Sequence, residues 1–121
     1  MKLVRIHNRT RRVDLATRAQ VAETFWTRLR GLIGRASLEP GEGLIIRPCK
    51  GVHMWFMRFP IDVIYVGEED VVIDIDEALP PWRIGRPRPQ ARYVIELPAG
   101  TVRATGTRIG DVLSSQPTKG T

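Results

Sequence analysis

The chain has a single cysteine, Cys49, and two histidines, His7 and His53. One thiol excludes an internal disulfide and any multi-cysteine metal site, so packing must hold the fold. No apolar run approaches the roughly 20 residues of a membrane-spanning helix, and the basic start MKLVRIHNRTRR has no apolar stretch behind its charges. Neither an anchor nor a secretory signal is expected, and a cytoplasmic location follows. There is no GxSxG elbow, no P-loop, no dinucleotide-binding glycine fingerprint and no internal repeat. Familiar enzyme classes therefore have no motif support. Aromatic residues make up only 7% of the chain, and no aromatic-and-basic RNA-binding signature occurs.

What is present suits one globular domain. The 121 residues are 42% hydrophobic and 26% charged, enough to bury one core and too few for two. The net charge of +6 is uneven: residues 1–60 hold twelve Lys or Arg against four acids, and residues 61–121 hold seven against nine. Arginine predominates and binds phosphate or carboxylate through its forked donors. A nucleic-acid interface would require arginines 5, 9, 11, 12, 28 and 30 to gather on one face. They are scattered through strands and turns, so a solvated basic surface is the simpler expectation.

Residues 3–7, LVRIH, alternate apolar and polar, and NRTRR turns them into a second alternating run, VDLAT, which reads as a hairpin. A strand is expected through Val21, then a short helix from Thr24, an N-cap candidate, to about Ile33, ended by Gly31 and Gly34. LIIRP, DVIYV and VVIDIDEAL read as strands, the last with Asp74 and Asp76 on a wet face. PPWRIGRPRPQ, with four prolines in eleven residues, must be an irregular surface loop. In ARYVIELPAG, Tyr93, Ile95 and Leu97 alternate with Arg92, Val94 and Glu96, and a further strand is expected to end at Val112-Leu113. These elements predict a mostly β domain over residues 1–113, a small antiparallel jelly-roll-like sandwich or barrel with one short α-helix. Residues 114–121 read as a disordered tail.

The chemistry is concentrated in PCKGVHMWFMRFPIDV, residues 48–63. Together with AETFWTRLRGLIGR, VVIDIDEALPPW and RYVIELPAGTVRATGTRIGDVL, this stretch resembles the domain of unknown function 192 family (DUF192, also called UPF0127) over about residues 15–113. The order of Pro48, Cys49, His53, Met57, Arg58, Phe59, Pro60 and Asp62 resembles its cytoplasmic branch, although Met54 stands where that branch usually has threonine. The resemblance implies a compact jelly-roll-like β fold in a prokaryotic protein. It implies neither an activity nor a cofactor.

If residues 49–57 form one strand, period 2 puts Cys49, His53, Trp55 and Met57 on one face and Met54 and Phe56 on the other, as in a central strand packed on both sides. The expected site is a small pocket at the ends of that strand, with Cys49, His53, Met57, Arg58 and Asp62 as candidate ligand-binding residues and a small polar or anionic molecule as the ligand. Asp62 could equally bond a neighbouring backbone amide, and Arg28 and Arg30 could simply serve the helix C-terminus. A hydrolase or transferase using His53 as base is the enzymatic alternative. A direct Cys49–His53 dyad is not expected, because four residues of strand separate their Cα atoms by roughly 13 Å. The C-x3-H-x3-M spacing superficially suits copper, but a copper centre needs its ligands on one tight loop. The acidic GEED and DIDE stretches lack a calcium-loop pattern and read as a solvated hairpin. No metal, cofactor or membrane partner is expected.

Overall fold

In a computed structural model the described residues are 2–52, 54 and 57–118, the side chain of Phe25 excepted. The strands are β1 (Leu3–Asn8), β2 (Val13–Ala22), β3 (Glu42–Ile46), β4 (Ile61–Val66), β5 (Val72–Leu79), β6 (Tyr93–Pro98) and β7 (Leu113–Pro117). They form one sheet in the order β5-β4-β6-β3-β2-β1-β7. Every pairing is antiparallel except β2 with β3. The sheet curls until its edges meet, where Val71 bridges Val112 and the Val72 amide donates to the Asp111 carbonyl at 2.8 Å. This is the expected small β architecture, realised as a curled half-barrel.

Both faces of the central strands are buried. β4 is buried at all six positions, and Val94, Ile95, Glu96 and Leu97 are buried in succession along β6. On one face Ile45, Ile64, Val66, Ile95 and Leu97 pack with Val4, Ile6, Leu15 and Leu113. On the other, Leu44, Ile46, Ile61, Val63, Tyr65 and Val94 pack under Leu32, Leu38, Met54 and Met57. A sheet apolar on both faces needs cover on both. Curling covers the first face, and loops must cover the second.

Helix α1 (Phe25–Arg30) starts where a cap was expected. Thr24 Oγ1 accepts the Thr27 amide at 3.1 Å, and Thr27 Oγ1 accepts the Thr24 amide at 3.1 Å, a reciprocal capping box. The helix stops at Gly31, whose φ of +52° disfavours residues with a side chain. The expected continuation to Ile33 is a turn instead.

Three expectations need correction. First, residues 49–57 do not form a strand in the described part of the segment. They run as an irregular chain along the proline-rich loop, with Cys49 donating its amide to the Arg92 carbonyl, Arg88 to Lys50, Gly85 to Val52 and Trp82 to Met54. The strand's period-2 sorting fails with it, since Met54 and Met57 lie in one apolar cluster. Second, besides the one short helix expected, TVRAT forms another, α2 (Thr101–Thr105), flanked by Gly100 and Gly106 at positive φ and burying Val102. Third, Ser114–Pro117 continue β7 against β1 rather than forming a tail, because Arg5, Ile6 and His7 supply a strand edge for them. The remaining tail residues, Lys119 to Thr121, lie outside the described residues.

The proline-rich loop is irregular, as its composition requires, and the acidic face of β5 holds it down. Arg88 donates to Asp74 at 2.8 Å and to Asp76 at 3.0 Å, while its guanidinium stacks 3.9 Å from the centre of the Tyr65 ring. Tyr65 in turn donates to Asp76 at 2.8 Å. Asp74 and Asp76 are thus ion-paired anchors, not members of a merely solvated hairpin. Gly85 fits because a Cβ there would lie 2.7 Å from the Tyr65 hydroxyl.

Asp62 serves the fold in a comparable way. Its buried carboxylate accepts the amides of Ala78 at 2.8 Å, Gly100 at 3.1 Å and Val102 at 2.9 Å, joining the end of β5 and the start of α2 to β4. Removing a charged acceptor from three donors costs at least a few kcal/mol. Asp62→Ala is expected to lower the unfolding free energy by about 3 kcal/mol in urea denaturation. A loss below about 1 kcal/mol would show that these amides find other acceptors.

Candidate functional site

The cover over the second face leaves a partly open cavity of about 130 Å³, lined by Arg28 to Ile33 of α1 and its following turn, Ile46 of β3, Pro48, Cys49, Gly51, Val52 and Met57 of the covering segment, and Glu96 of β6. Most of this lining is apolar. Glu96 enters it because β6 alternates: residues directly opposite in a sheet share a face, and Glu96 lies opposite Leu44 on β3 and Val63 on β4, both members of the apolar cluster on this side. The face that Glu96 shares with Val94 is therefore itself covered.

Glu96 is 5% exposed, and among the described residues its carboxyl accepts no hydrogen bond, burial being the one influence on it. Burial alone pushes its pKa up to about 7. Arg28 lines the same cavity without pairing to it. The Arg28 guanidinium donates through one Nη to the Pro48 carbonyl at 3.1 Å, and its buried Nε has no partner. Arg28 thus ties α1 to the covering segment rather than serving the helix C-terminus. Cys49 donates its thiol to the Gly51 carbonyl at 2.9 Å, and burial pushes the thiol pKa above its ordinary value. A neutral, hydrogen-bonded thiol is a poor nucleophile.

The five candidate residues are dispersed. Cys49 and Met57 line the cavity. Arg58 is exposed and does not line it, and Asp62 is committed to its three backbone amides. His53 lies outside the described residues. The sequence reading missed Glu96, whose one available signal was its position between Ile95 and Leu97 in a strand with no other charged residue on either side until Arg92.

A larger open groove of about 1080 Å³ adjoins the cavity and shares Pro48 and Cys49 with it. Most of its charges are answered within the protein, although the buried Arg47 Nε has no hydrogen-bond acceptor at close range. Arg47 lies 3.5 Å from Glu23 and over the Tyr93 ring, Arg92 pairs with Glu68 at 2.5 Å, and Lys50 donates to the carbonyls of Pro89 and Ala91. Volume favours the groove, but a buried carboxyl with no cation beside it favours the smaller cavity. Among the described residues no cluster of three or more His, Cys, Asp or Glu could hold a metal ion.

Fold and site together define a small curled-sheet β protein with a loop-covered cavity. The sequence matches the family model DUF192, uncharacterized ACR, over residues 6–115, and the chain belongs to this family. It is 35% identical over 112 residues to the UPF0127 protein of Pyrococcus abyssi, covering 88% of this chain and 92% of that one. The UPF0127 protein of Thermococcus sibiricus is 33% identical over 108 residues, covering 86% of this chain and 70% of its own length. Among solved structures, a protein of unknown function from Novosphingobium aromaticivorans DSM 12444 superposes with a TM-score of 0.78 at 24% identity, covering 93% of this chain and 83% of that one. A protein from Sinorhizobium meliloti 1021 named as a "putative transcription regulator" gives a TM-score of 0.77 at 27% identity, covering 94% of this chain and 92% of that one. Among the described residues no helix is long and apolar enough to cross a membrane.

Glu96 makes stability depend on pH in a direction opposite to that of the paired acids. A carboxyl whose folded pKa is raised from 4.5 to about 7 contributes fully below about pH 4.5, and the contribution disappears as pH rises through about 7. At about 1.4 kcal/mol per unit, the loss amounts to about 3 kcal/mol. Urea unfolding across this range should show that decline in the native sequence and not in Glu96→Gln. Parallel profiles for the two proteins would mean that Glu96 is hydrated or paired in solution.

Proposed function

We propose that this protein is a cytoplasmic small-molecule-binding module whose pocket is the cavity between α1, the covering segment and β6. The observation that carries the proposal is the buried Glu96 carboxyl, which faces this space without a donor. Elsewhere the chain satisfies its buried carboxylates. Asp62 receives three amides, and Asp111 receives Asn8, Arg11 and the Arg108 amide. An unmet buried charge is costly, and a bound molecule that supplies the missing partner removes that cost. Cys49 and Met57 contribute a polarizable wall, a role that needs no thiolate. The free thiol suits a reducing compartment.

Nucleic-acid binding fits the arginines less well. Arg5 is paired with Asp14 at 2.9 Å and Arg11 with Asp111 at 3.0 Å, so two of the six residues that a polyanion would need are already engaged. The hydrolytic alternative rests on His53, outside the described residues.

A cavity that binds small molecules also concentrates small organic probes. In amide NMR spectra, isopropanol at a few per cent should shift the signals of Arg28 to Ile33, Val52 and Met57 together. Val52→Phe, which occupies cavity volume, should abolish those shifts. Shifts scattered over the surface, or confined to the larger groove, would overturn the proposal.

A further inference from the structure

Resting on that reading of the cavity, we infer that its ligand is a compact organic cation: an ammonium or guanidinium group on a short apolar body that also carries one hydrogen-bond acceptor. The polar groups left unmet in the wall dictate this complement. Glu96 offers an acceptor buried on a sheet face, with Leu44 and Val63 opposite it in the neighbouring strands. Arg28 offers a buried Nε–H with no acceptor. The two do not answer each other, because burial is the only influence on the Glu96 carboxyl and no neighbouring cation offsets it. A ligand with a cationic head toward Glu96 and an acceptor toward Arg28 satisfies both, while Leu29, Leu32, Ile33, Ile46 and Met57 surround its carbons.

Size and chemistry narrow the class. At about 30 Å³ per water, 130 Å³ holds roughly four waters, which limits the ligand to a few heavy atoms. A metal ion fits poorly, since Glu96 has no second carboxylate or imidazole beside it among the described residues, and the Cys49 thiol is protonated and bonded to Gly51. A simple anion would meet the Arg28 Nε–H but would be repelled by ionised Glu96. The same cationic head could arrive on a free amine or at the tip of a lysine side chain of another protein, which shares the chemistry at Glu96 but brings no acceptor to Arg28.

The ionisable and charged groups lining the cavity are Glu96, Cys49, Arg28 and Arg30. Cys49 is held protonated by burial, so Glu96 is the group among them that changes charge near neutrality. An alkylammonium stays charged to about pH 9. Cation affinity should therefore rise with pH as Glu96 ionises.

The test titrates the intact protein with ethanolammonium, with Nα-acetyl-lysine methylamide and with propionate, following the amides of residues 28–33 and 52 by NMR. We expect saturable cation binding that is about tenfold tighter at about pH 8 than at about pH 6, set by the Glu96 midpoint of about 7. Tighter binding of ethanolammonium assigns the site to free amines, and tighter binding of the lysine derivative assigns it to a protein side chain. Glu96→Gln should weaken binding at least tenfold at the higher pH and abolish its pH dependence, which separates Glu96 from His53 as the source. Propionate binding as well as the cations, or cation affinity independent of pH in the native protein, would overturn the inference. If neither cation binds while isopropanol still gathers in the cavity, the cationic class is wrong and the small-molecule pocket stands. If isopropanol does not gather there either, the pocket itself is wrong.

Discussion

Everything in this structure follows from a sheet whose central strands are apolar on both sides. β3, β4 and β6 bury adjacent residues in succession, so a single layer of curling cannot hide them. The curl of the sheet encloses Ile45, Ile64, Ile95 and their partners, while Leu44, Val63, Tyr65 and Val94 on the opposite face would be left to water. Burying a large aliphatic side chain contributes about 2 kcal/mol, so exposing that face would cost more than the marginal stability of a small domain. Two irregular segments provide the cover. The described residues of 48–57 and the proline-rich loop hold each other by backbone hydrogen bonds, and Arg88 fastens the loop to the sheet through Asp74, Asp76 and Tyr65.

A cover made of loops fits a sheet less perfectly than a second sheet would, and the cavity lies where the fit is incomplete. Its chemistry comes from one strand position. Had residue 96 been valine, the outer face would be continuous hydrocarbon and the cavity an ordinary packing defect. With glutamate there, the same void contains a carboxyl that burial keeps near neutrality in its titration. The Arg28 guanidinium closes one side by bonding the Pro48 carbonyl and leaves one N–H over. Structural charges in this chain are met by several partners, as at Asp62 and at Asp111, where Asn8, Arg11 and the Arg108 amide converge. Glu96 and Arg28 depart from that habit within one cavity, as the Arg47 Nε does in the groove, and an unanswered acceptor beside an unanswered donor is what supports the proposed site.

Much of the fold was legible in the sequence because its signals are local. Alternation placed β1 and β2, the turn residues separated β4 from β5, Thr24 marked the start of α1, and the proline content marked the loop. The misreadings involve interactions distant in sequence. Residues 49–57 have the composition of a strand, yet Cys49, Lys50, Val52 and Met54 bond to backbone groups among residues 82–92, roughly thirty to forty positions away. TVRAT forms a helical turn because Asp62, about forty residues earlier, accepts the amides of Gly100 and Val102. The site was half legible. Of the candidates, Cys49 and Met57 line the cavity, and Asp62 takes the backbone-bonding role that stood as its alternative. Alternation puts Glu96 on one strand face with Arg92 and Val94, and nothing in the local pattern shows that Pro48, Cys49, Gly51, Val52 and Met57 line a cavity with it.

The claim on which this account depends is that Glu96 is a buried carboxyl without a partner in the free protein. The most direct measurement is a pH titration of the Glu96 side-chain carboxyl by carbon-13 NMR, assigned by its absence in Glu96→Gln. The account predicts a midpoint near 7. A midpoint near the ordinary glutamate value of about 4.3 would contradict it, placing Glu96 in contact with water or a cation and leaving the cavity without its distinguishing chemistry.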